Sequence, residues 1–523
     1  MNKEDLIAPK HYNIVNEIEK HASDKTKKAL IYYDTNKTMK EVTYDTLVSQ
    51  SNKLGNVLLN HGLKKGDKLL VMVPRIIDAY EVYIAALKCG IIIIPSSEML
   101  TANDLQYRID HGEVNGIICF HAFTDAFDDV TSAQSLKKFV LGERVDGWIY
   151  VDELKEDASN VLATTETLAT DIAFLPYTSG TTGLPKAVVH EHSWGYAHIR
   201  TVAENWLGIR NDDIVWATAG PGWQKWVWSP FLSVLATGST GFVYNGRFDA
   251  ETYLQLLEAY KINVLCCTPT EYRMIAKYDG LDQFSLTHLR EALSAGEPLN
   301  REVIDTFRET FDITVRDGYG QTENTLLLGI MKNMDIRPGS MGKPTPGNDV
   351  AIIDEDANEV SVGVTGDIAV KRDCPALFRE YFKDEERTKV TKRGEYYVTG
   401  DRASMDKDGY FWFQGRNDDI IISSGYTIGP FEVEDALTKH DAIQECAVVG
   451  APDDIRGQIV KAFIVLKESR KNIDKEALVK ELQAFVKRET APYKYPRAIE
   501  FIDELPKTPS GKVRRVELRE NFS

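Results

Sequence analysis

The 523-residue chain has no apolar run close to the roughly twenty residues that a membrane-spanning helix requires. Runs such as Leu69 to Val73 and Ile91 to Ile94 are strand-sized. Its opening residues, Met1 to Lys20, mix Lys, Asp and Glu and lack an apolar signal segment, so the expected location is the cytoplasm. Positive charge is also short. Against 62 basic residues stand 79 acidic ones, for a formal net charge of −17, and such a surface repels nucleic acid and anionic lipid. No partner of either kind is expected. The six cysteines, Cys89, Cys119, Cys266, Cys267, Cys374 and Cys446, show no CxxC pairing and read as reduced core thiols. No Pro/Ser tract suggests disorder, and no repeat of roughly 20 to 50 residues suggests a solenoid or propeller.

What is present is a globular composition, 43% apolar and 27% charged, on a chain too long for one compact core. A large and a smaller domain are expected. Tyr80, Tyr83, Ile84 and Leu87 recur at helical spacing and predict one apolar stripe, ended by Gly90 and followed by a strand over Ile91 to Ile94. The unit recurs at Tyr253, Leu256, Leu257 and Tyr260, followed by Ile262 to Cys267 and Pro269. Such alternation over the first four hundred or so residues predicts an α/β fold with parallel, helix-flanked sheets. The texture changes at Gly415-Arg416-Asn417-Asp418-Asp419. Beyond it, strands at Ile443 to Val449, Ile459 to Leu466 and Ala498 to Ile502, with a helix around Asp474 to Arg488, predict a small α+β domain. The expected division is residues 1–415, then 416–418, then 419–523.

Between the strand candidates Ile172 to Leu175 and Ala187 to Val189 lies Tyr177-Thr178-Ser179-Gly180-Thr181-Thr182-Gly183-Leu184-Pro185-Lys186. Four Ser/Thr hydroxyls, two glycines and a lysine in one loop suit a polyphosphate: glycine admits close backbone N–H groups, hydroxyls donate, and lysine supplies charge. It is not a P-loop, which needs Gly-Lys-Ser/Thr opening a helix; here Pro185 precedes Lys186 and a strand follows. Further on, Asp317-Gly318-Tyr319-Gly320-Gln321-Thr322-Glu323 offers an aromatic that can stack on a purine and a carboxylate that can hold magnesium.

The first of these strings resembles, almost letter for letter, the TSGTTGxPK signature of the adenylate-forming superfamily of acyl-CoA synthetases, luciferases and peptide-synthetase adenylation domains. The likeness runs from about Thr43 to Arg515. It implies ATP bound by Thr178 to Gly183 and Lys186, by the turn Gly296-Glu297-Pro298 at the adenine, and by Asp317 to Thr322, with Tyr319 on the purine. It implies magnesium near Glu323 and Thr181, Asp401 on the ribose hydroxyls, and Arg416 on the nucleotide. Asp418 falls at the family's hinge, about which a mobile small domain turns, and Lys512 matches its catalytic lysine. Ser424, Gly425, Tyr426 and Tyr495 match coenzyme A contacts; Thr427 departs from the arginine many relatives carry.

The implied chemistry is an acid–CoA ligase using ATP, magnesium and coenzyme A. Val73-Pro74-Arg75, Arg337 to Pro344 and Ser424-Gly425-Tyr426 leading to Gly429-Pro430-Phe431-Glu432 look most like the medium-chain branch. The acyl pocket is expected around Trp223, Trp226 and Gly320; acetate-specific relatives carry Trp at the position of Gly320, so a short, branched or medium-chain acid is expected. An aryl acid or acetate is the alternative, or a nucleotide-binding homologue without activity. Ala219 to Trp228 contains no acid to hold an amino group, which argues against amino-acid activation. His190 and His192 are expected to share a strand face, without zinc.

Overall fold

The structure, a computed structural model, describes residues 1–178, 184–297, 299–416, 419–423, 426–453, 456–471, 474–490, 492–508 and 512–520. Among these described residues three large sheets carry the fold. The first has fourteen strands. Its centre is a parallel run in the order Val315–Gly320, Glu291–Ala295, Val264–Cys267, Ile214–Ala217, Thr240–Asn245 and Lys28–Asp34, with Met39–Thr43 antiparallel at the edge. These central strands are nearly all buried, as expected when helices cover both faces.

On the other side of Val315–Gly320 the sheet turns antiparallel through Leu326–Gly329, Ser340–Pro344, Phe411–Arg416, Tyr396–Met405, Thr365–Lys371 and Val350–Ile353. Helix–strand alternation therefore stops near Leu326, earlier than the sequence pattern suggests. The reason is local: tight polar turns such as Asp406 to Tyr410, where Asp406 Oδ1 accepts from the Asp408 and Tyr410 amides, return the chain at once.

The second sheet has seven strands in the order His190–Glu191, Ile172–Phe174, Ile92–Pro95, Lys68–Met72, Gly116–Phe120, Lys137–Leu141 and Ile149–Tyr150. Helix Ile77–Lys88 is buried on every face, where the sequence suggested one stripe. Its core neighbours include Trp226 and Phe231, which pack on Tyr80 and Tyr83. Its two buried charges are matched, Glu81 by Lys155 and Lys88 by Glu19.

The C-terminal domain is a five-stranded sheet of Tyr426–Ile428, Ile421–Ser423, Gly457–Leu466 and Ile443–Asp453, with Ala498–Phe501 parallel on Gly457–Leu466. Helices Pro430–Thr438 and Lys475–Glu489 pack on it, the latter capped by Asp474, whose carboxylate accepts from the amides of Glu476 and Ala477. The molecule is a large N-terminal α/β domain with a smaller C-terminal domain. No helix among the described residues is long and apolar enough to cross a membrane. Five of the six cysteines are buried and Cys446 is half-buried.

Candidate active site

In a parallel sheet, ligands gather at the carboxyl ends of the strands. Here Ala217 leads into Gly220 to Trp228, Ala295 into Gly296 and Glu297, and Gly320 into Gln321 to Glu323. Gly296 has φ of 111°, a conformation that L side chains rarely adopt, so the turn is built on glycine. Glu297 is held there by Arg273 Nη2 at 3.2 Å and by the Thr270 hydroxyl at 3.3 Å.

The string Tyr319 to Gln321 closes on Asp401. The Tyr319 hydroxyl donates to Asp401 Oδ2 at 2.5 Å and Gln321 Nε2 to the same oxygen at 2.7 Å. Antiparallel register sets Arg416 opposite Asp401, with Arg416 Nε 3.8 Å from Oδ1. Burial pushes the Asp401 carboxyl up from its ordinary value, against the pull of Arg416. Asp317, by contrast, turns inward. Its carboxylate accepts from the amides of Gly318 at 2.8 Å and Leu299 at 3.3 Å, and burial raises its carboxyl to about 7. It braces the Gly296–Glu297 turn from below. Thr322 offers its carbonyl to His190 Nε2 at 2.6 Å.

The phosphate-loop string sits on a two-stranded hairpin, Tyr177–Thr178 against Lys186–Ala187, with Thr178 opposite Lys186. Ser179, Gly180, Thr181, Thr182 and Gly183 lie outside the described residues. The hairpin is braced from the side: Tyr107 donates to the Pro185 carbonyl at 3.0 Å, and His111 Nδ1 lies 2.9 Å from the Tyr177 hydroxyl. Lys186 Nζ stands 4.5 Å over the Tyr381 ring and 3.3 Å from its hydroxyl, which donates to Glu323 Oε1 at 2.7 Å. Burial lowers the Lys186 ammonium from its ordinary value, with Glu323 the main opposing influence.

Glu323 and its setting fit magnesium on a polyphosphate. A buried carboxylate supplies hard oxygen beside Lys186, and magnesium typically takes one or two carboxylates, the rest of its shell being substrate phosphate and water. Among the described residues no group of three or more His, Cys, Asp or Glu could hold a metal by itself.

Lys512 reaches this cleft from the C-terminal domain. Its loop is closed by the Thr508 amide on the Lys512 carbonyl at 2.7 Å and the Lys512 amide on the Thr508 hydroxyl at 3.1 Å. The residue keeps surface open to solvent, yet the cleft walls strip water from the ammonium and lower its pKa, against Glu297 and Asp401 and together with Lys225 and Arg416. Two carboxylates and two further cations thus act on the charge of Lys512.

The acyl-pocket residues separate. Trp226 is a core side chain, stacked on Phe231 at 5.4 Å and enclosed by Tyr80 and Tyr83, so it does not face a pocket. Trp223 is half-buried. The indole beside Gly320 belongs to Trp228 instead, and a Cβ on Gly320 would drive into the Thr325 carbonyl and lie 3.0 Å from that ring. Glycine there is required by backbone approach, whatever volume it also leaves. His190 and His192 do not share a strand face either: His190 ends in the sheet, whereas His192 opens helix His192–Val202 and accepts from the Ile14 amide.

Tyr426 stacks on Tyr493 at 4.3 Å, and Tyr495 lies between Lys487 and Arg497. Asp418, Ser424, Gly425, Pro298 and the Thr427 side chain lie outside the described residues. Lys225, Arg273, Tyr381 and Tyr397 belong to the cleft and its braces without having been singled out by the sequence pattern. Lys225 donates to the Ala295 carbonyl, and Tyr397 to Gln321 Oε1 at 3.2 Å. No spacing rule tells where a loop lysine such as Lys225 points.

Residues 18–382 match the AMP-binding enzyme family and residues 432–512 the AMP-binding enzyme C-terminal domain. The uncharacterized acyl-CoA ligase YtcI of Bacillus subtilis (strain 168) is 59% identical over 99% of this chain and 98% of its own. The mitochondrial acyl-coenzyme A synthetase ACSM3 of Homo sapiens is 39% identical over 98% of this chain and 90% of its own. Among solved structures, the anthranilate CoA ligase AuaEII in complex with anthranoyl-AMP superposes with a TM-score of 0.92 at 28% identity, covering 100% of this chain and 99% of that one. A benzoate CoA ligase from Burkholderia xenovorans LB400 gives 0.85 at 28% identity, covering 97% and 100%. The chain belongs to the AMP-binding enzyme family, as an acyl-CoA synthetase of the AMP-forming kind.

Proposed function

We propose that the chain activates a short, branched or medium-chain fatty acid, first as its adenylate and then as its coenzyme A thioester. The observation that carries the site assignment is Lys512, set by the C-terminal domain into the field of Glu297 and Asp401. A carboxylate oxygen attacks the α-phosphorus of ATP and pyrophosphate leaves; the coenzyme A sulfur then attacks the acyl carbon and AMP leaves. Bringing two anions together is the difficulty, so the protein's task is positioning and charge neutralisation. Lys512 neutralises charge between carboxylate and α-phosphate, and Lys186 with the Thr178 to Gly183 loop holds the outer phosphates. Asp401, gripped by Tyr319 and Gln321, takes the ribose hydroxyls. Glu323 with Thr181 would hold magnesium, which when bound offsets phosphate charge.

Residues 1–415 form the ATP- and acid-binding domain and 419–523 the domain that carries Lys512, joined at 416–418 with Asp418 as hinge. Rotation there withdraws Lys512 and brings Ser424, Gly425 and Tyr426 to the pantetheine, with Tyr495 and its cations near the nucleotide end of coenzyme A. The enzyme acts in the cytoplasm.

A second reading, a polar-substituted aryl acid, is favoured by one feature. The Gln224 amide and the Trp228 indole N–H, one helical turn apart, are buried without a partner among the described residues. An alkyl chain would leave them unpaired, at a cost of about 1–3 kcal/mol each. Both readings are tested by incubating enzyme, ATP, magnesium and coenzyme A with straight, branched and aromatic acids, alongside Lys512→Ala, and reading products by mass spectrometry. Acyl-CoA and AMP from aliphatic acids, lost in the variant, support the first reading. Turnover confined to substituted aryl acids supports the second, and no AMP from any acid overturns both.

A further inference from the structure

We propose that Lys277 and Asn300 are positioning residues for adenylate formation: they dock the C-terminal domain in the orientation that holds Lys512 in the cleft. Lys277 ends helix Pro269–Ala276 of the large domain, and its ammonium donates to the carbonyls of Ile443 at 3.2 Å and Gln444 at 2.9 Å. The Gln444 carbonyl is turned toward it because the ladder between Ile443–Asp453 and Gly457–Leu466 shifts register between Ile443 and Glu445, a bulge at Gln444. An ammonium that spends two donors on another domain's backbone is shaped by that contact, since a surface lysine otherwise stays in water.

Asn300 stands at the N-cap of helix Arg301–Phe311, but its side chain makes no capping bond. Its Nδ2 instead lies 3.5 Å from Asp435 Oδ1 and 3.4 Å from the Thr438 hydroxyl, both on helix Pro430–Thr438, while its Oδ1 accepts from Arg273 at 3.1 Å. The same Arg273 holds Glu297, the foremost anion facing Lys512. On the C-terminal side the path continues through Glu434 of helix Pro430–Thr438, which takes Arg515 in a two-oxygen pair at 2.7 and 2.9 Å. Arg515 follows Lys512 by three residues. Two polar sets therefore meet at helix Pro430–Thr438: Glu297, Arg273 and Asn300 from the large domain, and Glu434 with Arg515 from the segment bearing Lys512.

This rests on the assignment of Lys512 above. The test separates the two half-reactions in the full-length protein. In Lys277→Met, which keeps the stem and loses the ammonium, ATP–pyrophosphate exchange should fall about tenfold to a hundredfold. Thioester formation from supplied acyl-adenylate and coenzyme A should stay at the wild-type rate, and Lys277→Arg should restore part of the exchange. In a Lys512→Ala background the same substitution should cost nothing further, because Lys277 acts through Lys512. Unchanged exchange in Lys277→Met overturns the proposal, as does a parallel fall of both half-reactions with a lowered melting temperature. Wild-type exchange in Lys512→Ala alone would instead overturn the assignment of Lys512, a distinct result.

Discussion

The Tyr319 hydroxyl donates to Asp401 Oδ2 at 2.5 Å, joining the end of a parallel strand to an antiparallel strand 82 residues further along the chain. Gln321 donates to the same oxygen, and Arg416 lies beside the other. The carboxylate is thereby held in place by protein groups, and in the role proposed for it a ribose hydroxyl would meet a pre-set acceptor.

Replacing Asp401 by Asn keeps the shape and removes one acceptor and the charge. A hydrogen bond to a charged group contributes about 1.5–3 kcal/mol, so KM for ATP should rise about tenfold to a hundredfold while KM for the acid stays put. Steady-state kinetics with each substrate varied in turn checks this. An unchanged KM for ATP would remove Asp401 from the ribose.

Tyr381 links Lys186 to Glu323. Tyr381→Phe retains the ring under the ammonium and drops the hydroxyl that fixes Glu323. The magnesium concentration for half-maximal pyrophosphate exchange should rise several-fold, by the roughly 1 kcal/mol of one hydrogen bond. Binding of a non-hydrolysable ATP analogue, titrated with magnesium by calorimetry, should weaken in step.

Gly320 and Trp228 should respond oppositely. Gly320→Ala pushes a Cβ into the Thr325 carbonyl, so the variant should lose stability and activity for all acids, by about 1–3 kcal/mol of overpacking. Trp228→Ala opens space beside Gly320 and should shift preference toward longer acids. Relative kcat/KM over a chain-length series reads the second effect, and a uniform shift across Gly320→Ala and Trp228→Ala would break the argument.

Three buried histidines should make the protein acid-sensitive. Burial holds His190 down at about 3 and His192 and His198 at about 4, against an ordinary 6.5. Between pH 6.5 and 4 the unfolded chain takes up protons that the folded chain refuses, so stability falls as pH drops through that window. His198 lies between the Thr325 hydroxyl at 2.8 Å and the Trp228 carbonyl at 3.1 Å. His198→Gln should flatten the slope below about pH 6 by about 1.4 kcal/mol per pH unit, measured by urea unfolding at about pH 7, 6 and 5.

Local elements were largely legible in the chain because they are driven by short-range pattern. The helix before Gly90, the strand ending at Cys267 and the helix beginning beside Asp474 all lie where the sequence pattern puts them. Illegible were features set by what approaches from elsewhere. Helix Ile77–Lys88 is enclosed by aromatics more than a hundred residues away, Trp226 falls into that core instead of a pocket, and His192 leaves the strand for a helix.

The sequence by itself determined which chemical groups are supplied: a hydroxyl-rich loop with Lys186, an aromatic and acid in Tyr319 and Glu323, an acid in Asp401, a late lysine in Lys512. Only the tertiary structure decided which of them face one another. Strand register set Arg416 across from Asp401, a bulge at Gln444 turned out a carbonyl that Lys277 takes, and domain docking put Lys512 within the field of Glu297. Composition and spacing act over a few residues, whereas hydrogen-bond direction and burial are properties of segments brought together from across the chain.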